Sequence, residues 1–165
     1  MGIMDRLSRL LRANVNDMLD RAEDPELMLD QMLRDMETSI QAARGQVAAM
    51  IAQEKELSAD LKETRELSAE WEEKARRAVQ AGKDDLAREA LRRKKDNDES
   101  TRLYEAQLQT QTQTLERMKN QLATLESKYQ STLSQRDTLI ARQRRAKSQQ
   151  QVADTVSTFS PMDPT

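Results

Sequence analysis

The sequence of 165 residues contains no cysteine and no histidine. These absences exclude disulfide bonds, thiol catalysis and the commonest zinc ligands. Aromatic residues make up only 2% of the chain, and glycine occurs three times. This composition does not suit one thick globular core, so we expect long helices that meet along narrow apolar seams.

Long hydrophobic runs are also absent, and no segment approaches the roughly 20 apolar residues that a membrane-spanning helix needs. Charged residues interrupt the N-terminus from Asp5 onward, which excludes the apolar core of a signal peptide. The formal net charge of −2 gives no overall basic field for binding nucleic acid. We therefore expect a cytosolic or peripheral membrane protein that has no nucleic-acid partner, cofactor or metal.

From Leu33 onward, apolar residues recur at alternating spacings of three and four, which is the heptad pattern of a coiled coil. One seam position recurs as Met36, Ala43, Met50, Leu57, Thr64, Trp71 and Ala78, and its partner as Leu33, Ile40, Val47, Glu54, Leu61, Ser68 and Ala75. A disordered chain of similar polarity would not keep this phase. The pattern predicts an all-α fold whose first long helix covers residues 25–81.

Gly82 suits the left-handed position that ends a helix, and Asp84 or Asp85 can cap the next one. So short a link predicts that a second long helix, over residues 84–150, returns antiparallel to the first. Its seam is expected at Leu86, Ala90, Leu108, Leu115, Met118, Leu122, Leu125, Tyr129, Leu133 and Leu139. Residues 92–101, "RRKKDNDEST", are expected to form a solvated, locally loose turn of helix. Residues 151–165 are expected to form a poorly ordered tail.

The N-terminal segment, residues 1–22, is predicted to form a separate amphipathic helix. On a helix its apolar side chains fall within about 140° of arc. They are Ile3, Met4, Leu7, Leu10, Leu11, Val15 and Met18, and the flanking arginines are Arg6, Arg9 and Arg12. This pattern is typical of a helix lying on an anionic membrane, and it equally fits a stripe packed on the hairpin or on another copy.

Asp24 and Pro25 separate this segment from the first long helix. Proline lacks an N–H and is tolerated in a helix only near its start. We expect Asp24 to act as the N-cap and Pro25 to take the first helical position. The two residues are therefore predicted to form a hinge between the N-terminal helix and the hairpin.

Three stretches resemble the phage-shock-protein A family, which includes the vesicle-inducing protein in plastids and is related to ESCRT-III. They are "MGIMDR" (1–6), "NVNDMLDRAEDPELML" (14–29) and "WEEKARRAVQAGKDDLAREAL" (71–91). The resemblance covers roughly residues 1–150. Met4 stands where family members commonly have Phe. Pro161 and Pro164 follow "STF", where the family continues into further helices.

The resemblance implies a peripheral, self-polymerising, ESCRT-III-like scaffold that remodels or protects the inner membrane under envelope stress. Its implied partners are anionic lipids and further copies of the chain, in rods or rings, on the cytoplasmic face of a plasma or thylakoid membrane. An alternative is a cytosolic coiled-coil regulator that sequesters an AAA+ transcription activator. The residues alone also permit a plain structural coiled coil. No enzymatic activity is expected, because the sequence has no glycine-rich phosphate loop.

Overall fold

The computed structural model describes residues 2–159, which form four helices and no strand. The helices are α1 (Ile3–Arg12), α2 (Val15–Arg21), α3 (Pro25–Gln80) and α4 (Asp84–Phe159). The chain divides into two compact units. We name residues 45–119 the tip unit, because they contain the turn between α3 and α4, and the remaining residues the terminal unit. The prediction of an all-α fold is confirmed.

The heptad seam of α3 forms as predicted, since every seam residue from Leu33 to Ala78 is buried or half-buried. Ion pairs and hydrogen bonds give the direction of α4. In the tip unit, Arg65 pairs with Glu105 at 2.7 Å and Gln111 donates to Gln53 at 3.1 Å. In the terminal unit, Arg136 pairs with Asp30 at 2.5 Å and Arg44 pairs with Glu126 at 2.9 Å. In each unit the residue number on α4 falls as the residue number on α3 rises, so the two helices form the predicted antiparallel coiled-coil hairpin.

The seam of α4 differs from the prediction at two leucines. Leu86 is 57% exposed and Leu133 is 43% exposed, whereas the neighbouring Ala87 and Thr132 are buried. Continuing the spacing of three and four from Leu125 leads to Thr132, not Leu133. Helical phase therefore decides which residue faces the partner helix, even where that residue is smaller or more polar.

Two groups of hydrogen-bonded polar side chains form a polar layer in the seam of the tip unit. Lys94 Nζ donates to Asp98 at 2.7 Å, and Ser68 Oγ donates to the other carboxylate oxygen at 2.5 Å. One turn further along α4, the hydroxyls of Thr101 and Thr64 are hydrogen-bonded at 2.9 Å. Polar seam residues of this kind fix the register between coiled-coil helices.

The expectation of a loose turn over residues 92–101 is wrong. This stretch is continuous helix within α4, and Lys94, Asp98 and Thr101 turn towards α3. A scan for apolar residues misses such a contact, because the partners of these groups are hydroxyls and charges on the facing helix.

The polar layer makes the stability of the hairpin depend on pH. The pKa of Asp98 is lowered by the hydrogen bonds from Lys94 and Ser68, and the pKa of Lys94 is raised by its bond to Asp98. A lowered carboxyl pKa adds stability above the unfolded value of about 3.9, and the gain is lost as pH falls through the folded pKa. The lysine contribution is present below its unfolded pKa of about 10.4 and is lost as pH rises through its folded pKa.

We predict that Asp98→Asn lowers the melting temperature at neutral pH, and that this difference from the wild type shrinks as pH falls below the unfolded carboxyl pKa of about 3.9. Thermal unfolding followed by circular dichroism at several pH values measures it. Asp96→Asn, which removes a charge from an exposed residue two positions away, is the matched control. Equal effects of the two substitutions at every pH would contradict the role of the polar layer.

The turn between α3 and α4 is closed by backbone hydrogen bonds around Gly82. Gly82 has a φ of +71°, and its N–H donates to Val79 O at 3.0 Å. The N–H of Lys83 donates to Ala78 O at 2.8 Å. These two bonds form the Schellman motif, which places glycine just past the helix end. The expectation that Asp84 or Asp85 caps α4 is wrong, because the helix already begins at Asp84 and both residues lie in its first turn. Acidic side chains in the first turn interact favourably with the helix dipole.

Helix α4 continues beyond the predicted end at residue 150 and reaches Phe159. Residues 151–157 are exposed, including Val152 and Val156. The first nine residues of the predicted tail are therefore helical. Residues 160–165 lie outside the described part of the chain.

Candidate functional site

The N-terminal segment is broken into two helices where a single helix was predicted. Helix α1 ends at Arg12, and Ala13 and Asn14 have extended backbone conformations. The side chain of Asn14 accepts a hydrogen bond from Asp17 N at 3.1 Å and so caps α2. Asparagine is a preferred N-cap because its side chain satisfies an otherwise unpaired N–H of the first turn. The one polar residue among the apolar positions thus starts a new helix.

The apolar stripe of this segment faces the protein. Leu7 is completely buried, and the other six stripe residues are half-buried. The three arginines Arg6, Arg9 and Arg12 are exposed, as is Asp5. Of the two interpretations that the sequence left open, the structure shows the segment packed on its own terminal unit, with its basic residues outward. We call this arrangement the docked state.

Helix α2 is held by a small hydrophobic core that the sequence analysis missed. Leu19 is 1% exposed and packs with Leu29 and Leu33 of α3 and with Leu139 and Ile140 of α4. Val15 and Tyr129 pack against this cluster. The spacing of four between Val15 and Leu19 is the signal that could have placed Leu19 on the buried face.

Lys128 of α4 binds the C-terminal end of α1. Its Nζ lies 2.7 Å from Leu10 O, 3.2 Å from Leu11 O and 2.5 Å from Ala13 O. The last carbonyls of a helix have no partner within the helix and carry the negative end of its dipole. An ammonium group with three donors satisfies them. Burial lowers the pKa of Lys128.

The predicted hinge is also in contact with α4. Asp24 Oδ1 accepts from Leu27 N at 3.2 Å, and Pro25 is buried at the first position of α3. Lys147 Nζ donates to Glu23 O at 2.5 Å, and Arg144 pairs with Glu26. In the docked state the residues around the hinge are therefore held in place by Arg144 and Lys147 of α4.

Within the described residues, no helix is long and apolar enough to cross a bilayer. No group of three or more carboxylates between residues 2 and 159 is placed to hold a metal ion. What the segment offers chemically is therefore a stripe of apolar side chains and a set of exposed guanidinium groups.

Comparison with known proteins gives a consistent result. A model described as the PspA/IM30 family matches residues 2–165. A phage shock protein A homolog of Deinococcus radiodurans is 44% identical over 97% of the chain and 71% of its own length. The membrane-associated protein Vipp1 of Synechocystis is 37% identical over 94% of the chain and 58% of its own length. The chloroplastic membrane-associated protein VIPP1 of Arabidopsis thaliana is 32% identical over 97% and 48%. The chain thus spans about half to seven tenths of these relatives.

Proposed function

Because the chain belongs to the PspA/IM30 family, we propose that it is a peripheral membrane protein whose N-terminal segment binds anionic bilayers. The observation that carries this proposal is the combination of an apolar stripe with three exposed arginines on a segment set apart from the hairpin by Pro25. Two of the relatives compared above are named membrane-associated proteins. The segment suits a surface-bound mode, since the described helices include no candidate for a membrane span.

Membrane binding requires the stripe to leave the docked state. Leu7 of α1 is buried against protein, so a lipid-bound α1 exchanges this contact for acyl chains. Each environment removes the same apolar surface from water, at roughly 25 cal/mol per Å². The net gain of one segment is therefore small, and the arginines tip the balance towards an anionic surface.

We propose further that several copies act together. A chain that gains little from one inserted segment binds strongly when copies are linked, because each additional segment binds at high effective concentration. Exposed apolar residues on the hairpin, such as Leu91 and Leu103, offer contacts between copies. The proposed assembly is a homo-oligomeric, ESCRT-III-like scaffold in the form of rods or rings. It would lie on the cytoplasmic face of the membrane and remodel or protect the bilayer under envelope stress.

The protein is proposed to act without catalysis. The segment supplies apolar and guanidinium groups, and its role is to bind and bend a surface. Sequestration of an AAA+ transcription activator stays a prediction from the family resemblance, and no contact among the described residues favours it.

Substitution of the three arginines tests the electrostatic contribution to membrane binding. Each basic residue near an anionic membrane is worth about 1 kcal/mol. Losing three such attractions reduces affinity for anionic liposomes by roughly two orders of magnitude, and reversing Arg6, Arg9 and Arg12 to Glu adds repulsion, so the loss at low salt should be larger than that. The loss should shrink at high salt, where the Debye length falls to about 3 Å. Liposome co-sedimentation across a salt series measures both effects.

The matched control reverses three exposed arginines of the tip unit, Arg76, Arg77 and Arg88. It makes the same change in net charge away from the proposed contact. An equal loss of binding in the control would mean that net charge, and not the N-terminal segment, governs attraction to the membrane.

A further inference from the structure

Polar contacts from α4 to the N-terminal segment fall at two places. Near the hinge, Gln143 donates to Asp20 and Lys147 donates to Glu23 O. At the other place, the three carbonyls of Leu10, Leu11 and Ala13 share the ammonium group of Lys128. The break at Ala13–Asn14 lies between the two places. Helix α1 is therefore anchored separately from α2.

The Lys128 contact is specific to the docked state. Its three acceptors are backbone carbonyls at the end of α1, and they point at one nitrogen on a helix more than a hundred residues away in sequence. Arginine cannot reproduce this arrangement, because its five donors lie in a rigid plane, whereas an ammonium group is a compact charge with three donors. Burial also lowers the pKa of this lysine, which indicates an amine partly removed from water.

We propose that Lys128 is a latch that holds α1 in the docked state and so keeps its apolar stripe away from the membrane. Releasing the latch lets α1 swing away about the Ala13–Asn14 break while α2 stays in the hydrophobic core around Leu19. The occupant of the exposed stripe is then the acyl region of an anionic bilayer. This inference rests on the proposed membrane role of the segment.

The break favours this order of opening. Asn14 caps α2 through Asp17 N, so α2 keeps its first turn when α1 departs. Helix α2 retains Leu19 in a cluster of four other buried residues. Helix α1 contributes one completely buried side chain, Leu7, and its other stripe residues are half-buried. Lys128 therefore contributes a large part of what fixes α1.

Lys128→Met tests the latch in the full chain, because methionine keeps the length of the apolar stem and removes the three donors. Hydrogen exchange should become about tenfold faster in residues 3–12 and should change little in residues 15–21. Affinity for anionic phospholipid vesicles should rise about tenfold, which corresponds to about 1.4 kcal/mol. Lys119→Met removes the same charge from an exposed position of the same helix and should leave both quantities unchanged.

Lys128→Arg serves as a second variant that keeps the charge, and it should shift both quantities in the same direction by a smaller factor. If Lys128→Met does not fold, Lys128→Arg tests the latch in its place. Unchanged exchange in residues 3–12 would overturn the latch, as would an equal response to Lys119→Met. Faster exchange together with unchanged or weaker vesicle binding would show that docking does not gate the membrane. If neither the wild type nor any variant binds vesicles, the proposed function fails, and exchange alone decides whether Lys128 holds α1.

Discussion

Removing residues 2–22 is expected to abolish co-sedimentation with anionic liposomes while α3 and α4 remain helical by circular dichroism. The deletion takes away the whole apolar stripe and the four arginines of the segment, Arg6, Arg9, Arg12 and Arg21. Pelleting assays with and without lipid measure the loss.

The deletion also uncovers the hydrophobic core that holds α2, including Leu29 and Ile140. Newly exposed apolar surface tends to increase non-specific association. Such association would increase the amount of deleted protein that pellets with liposomes, so it cannot produce the predicted loss of binding. Retained pelleting with anionic vesicles but not with neutral ones would contradict the assignment of the segment, because it would reveal another anionic-lipid site.

Pro25→Ala is expected to leave helicity and assembly intact and to impair the remodelling of liposomes. Proline pushes the preceding residue out of the helical region, so the substitution frees both Asp24 and position 25 to continue a helix. Proline at a first helical position costs little, and overall stability should barely change. A continuous helix would fix the angle between α2 and α3 and draw α2 out of its core around Leu19, so α1 would no longer start from the position that lets it lie flat on a bilayer. Electron microscopy of vesicles before and after addition of the protein measures remodelling.

Asp24→Ala is the matched control for the hinge. It removes the N-cap bond to Leu27 N, at a cost of about 0.5–2 kcal/mol, and keeps the proline that separates the helices. We expect this variant to remodel vesicles normally. Normal remodelling by Pro25→Ala would mean that the break is only a helix start, and that freedom at this position is not part of the mechanism.

The coiled-coil hairpin was predictable because its signals are local and repeated. The spacing of three and four along α3 gave the seam, and one glycine marked the turn between the long helices. The predicted seam of α4 was wrong where a large apolar residue was chosen instead of the residue at the correct heptad position. Leu133 was chosen, for example, but its neighbour Thr132 is the buried residue. The polar layer was missed for a related reason, since Asp98 contributes to the seam through hydrogen bonds.

The state of the N-terminal segment was not predictable from its own residues. An apolar stripe with flanking arginines suits a lipid surface and a protein surface equally well. What decides between them in the structure is the surface that α3 and α4 build opposite the segment. Lys128 shows this most clearly, because nothing in its sequence neighbourhood marks it, and only the return of α4 brings it to the carbonyls of α1. The break at Asn14 did carry a local signal, since asparagine is a frequent N-cap.

The central claim is that the stripe of α1 exchanges protein contacts for lipid, and quenching by lipids with brominated acyl chains tests it most directly. Trp71 is the one tryptophan of the chain and lies in the tip unit. In the double variant Trp71→Phe/Leu10→Trp, the introduced tryptophan reports on the stripe of α1. In the wild-type chain, Trp71 reports on the hairpin. We expect anionic brominated vesicles to quench the introduced tryptophan strongly and Trp71 not at all. An unquenched tryptophan at the Leu10 position in protein that has pelleted with the vesicles would contradict it.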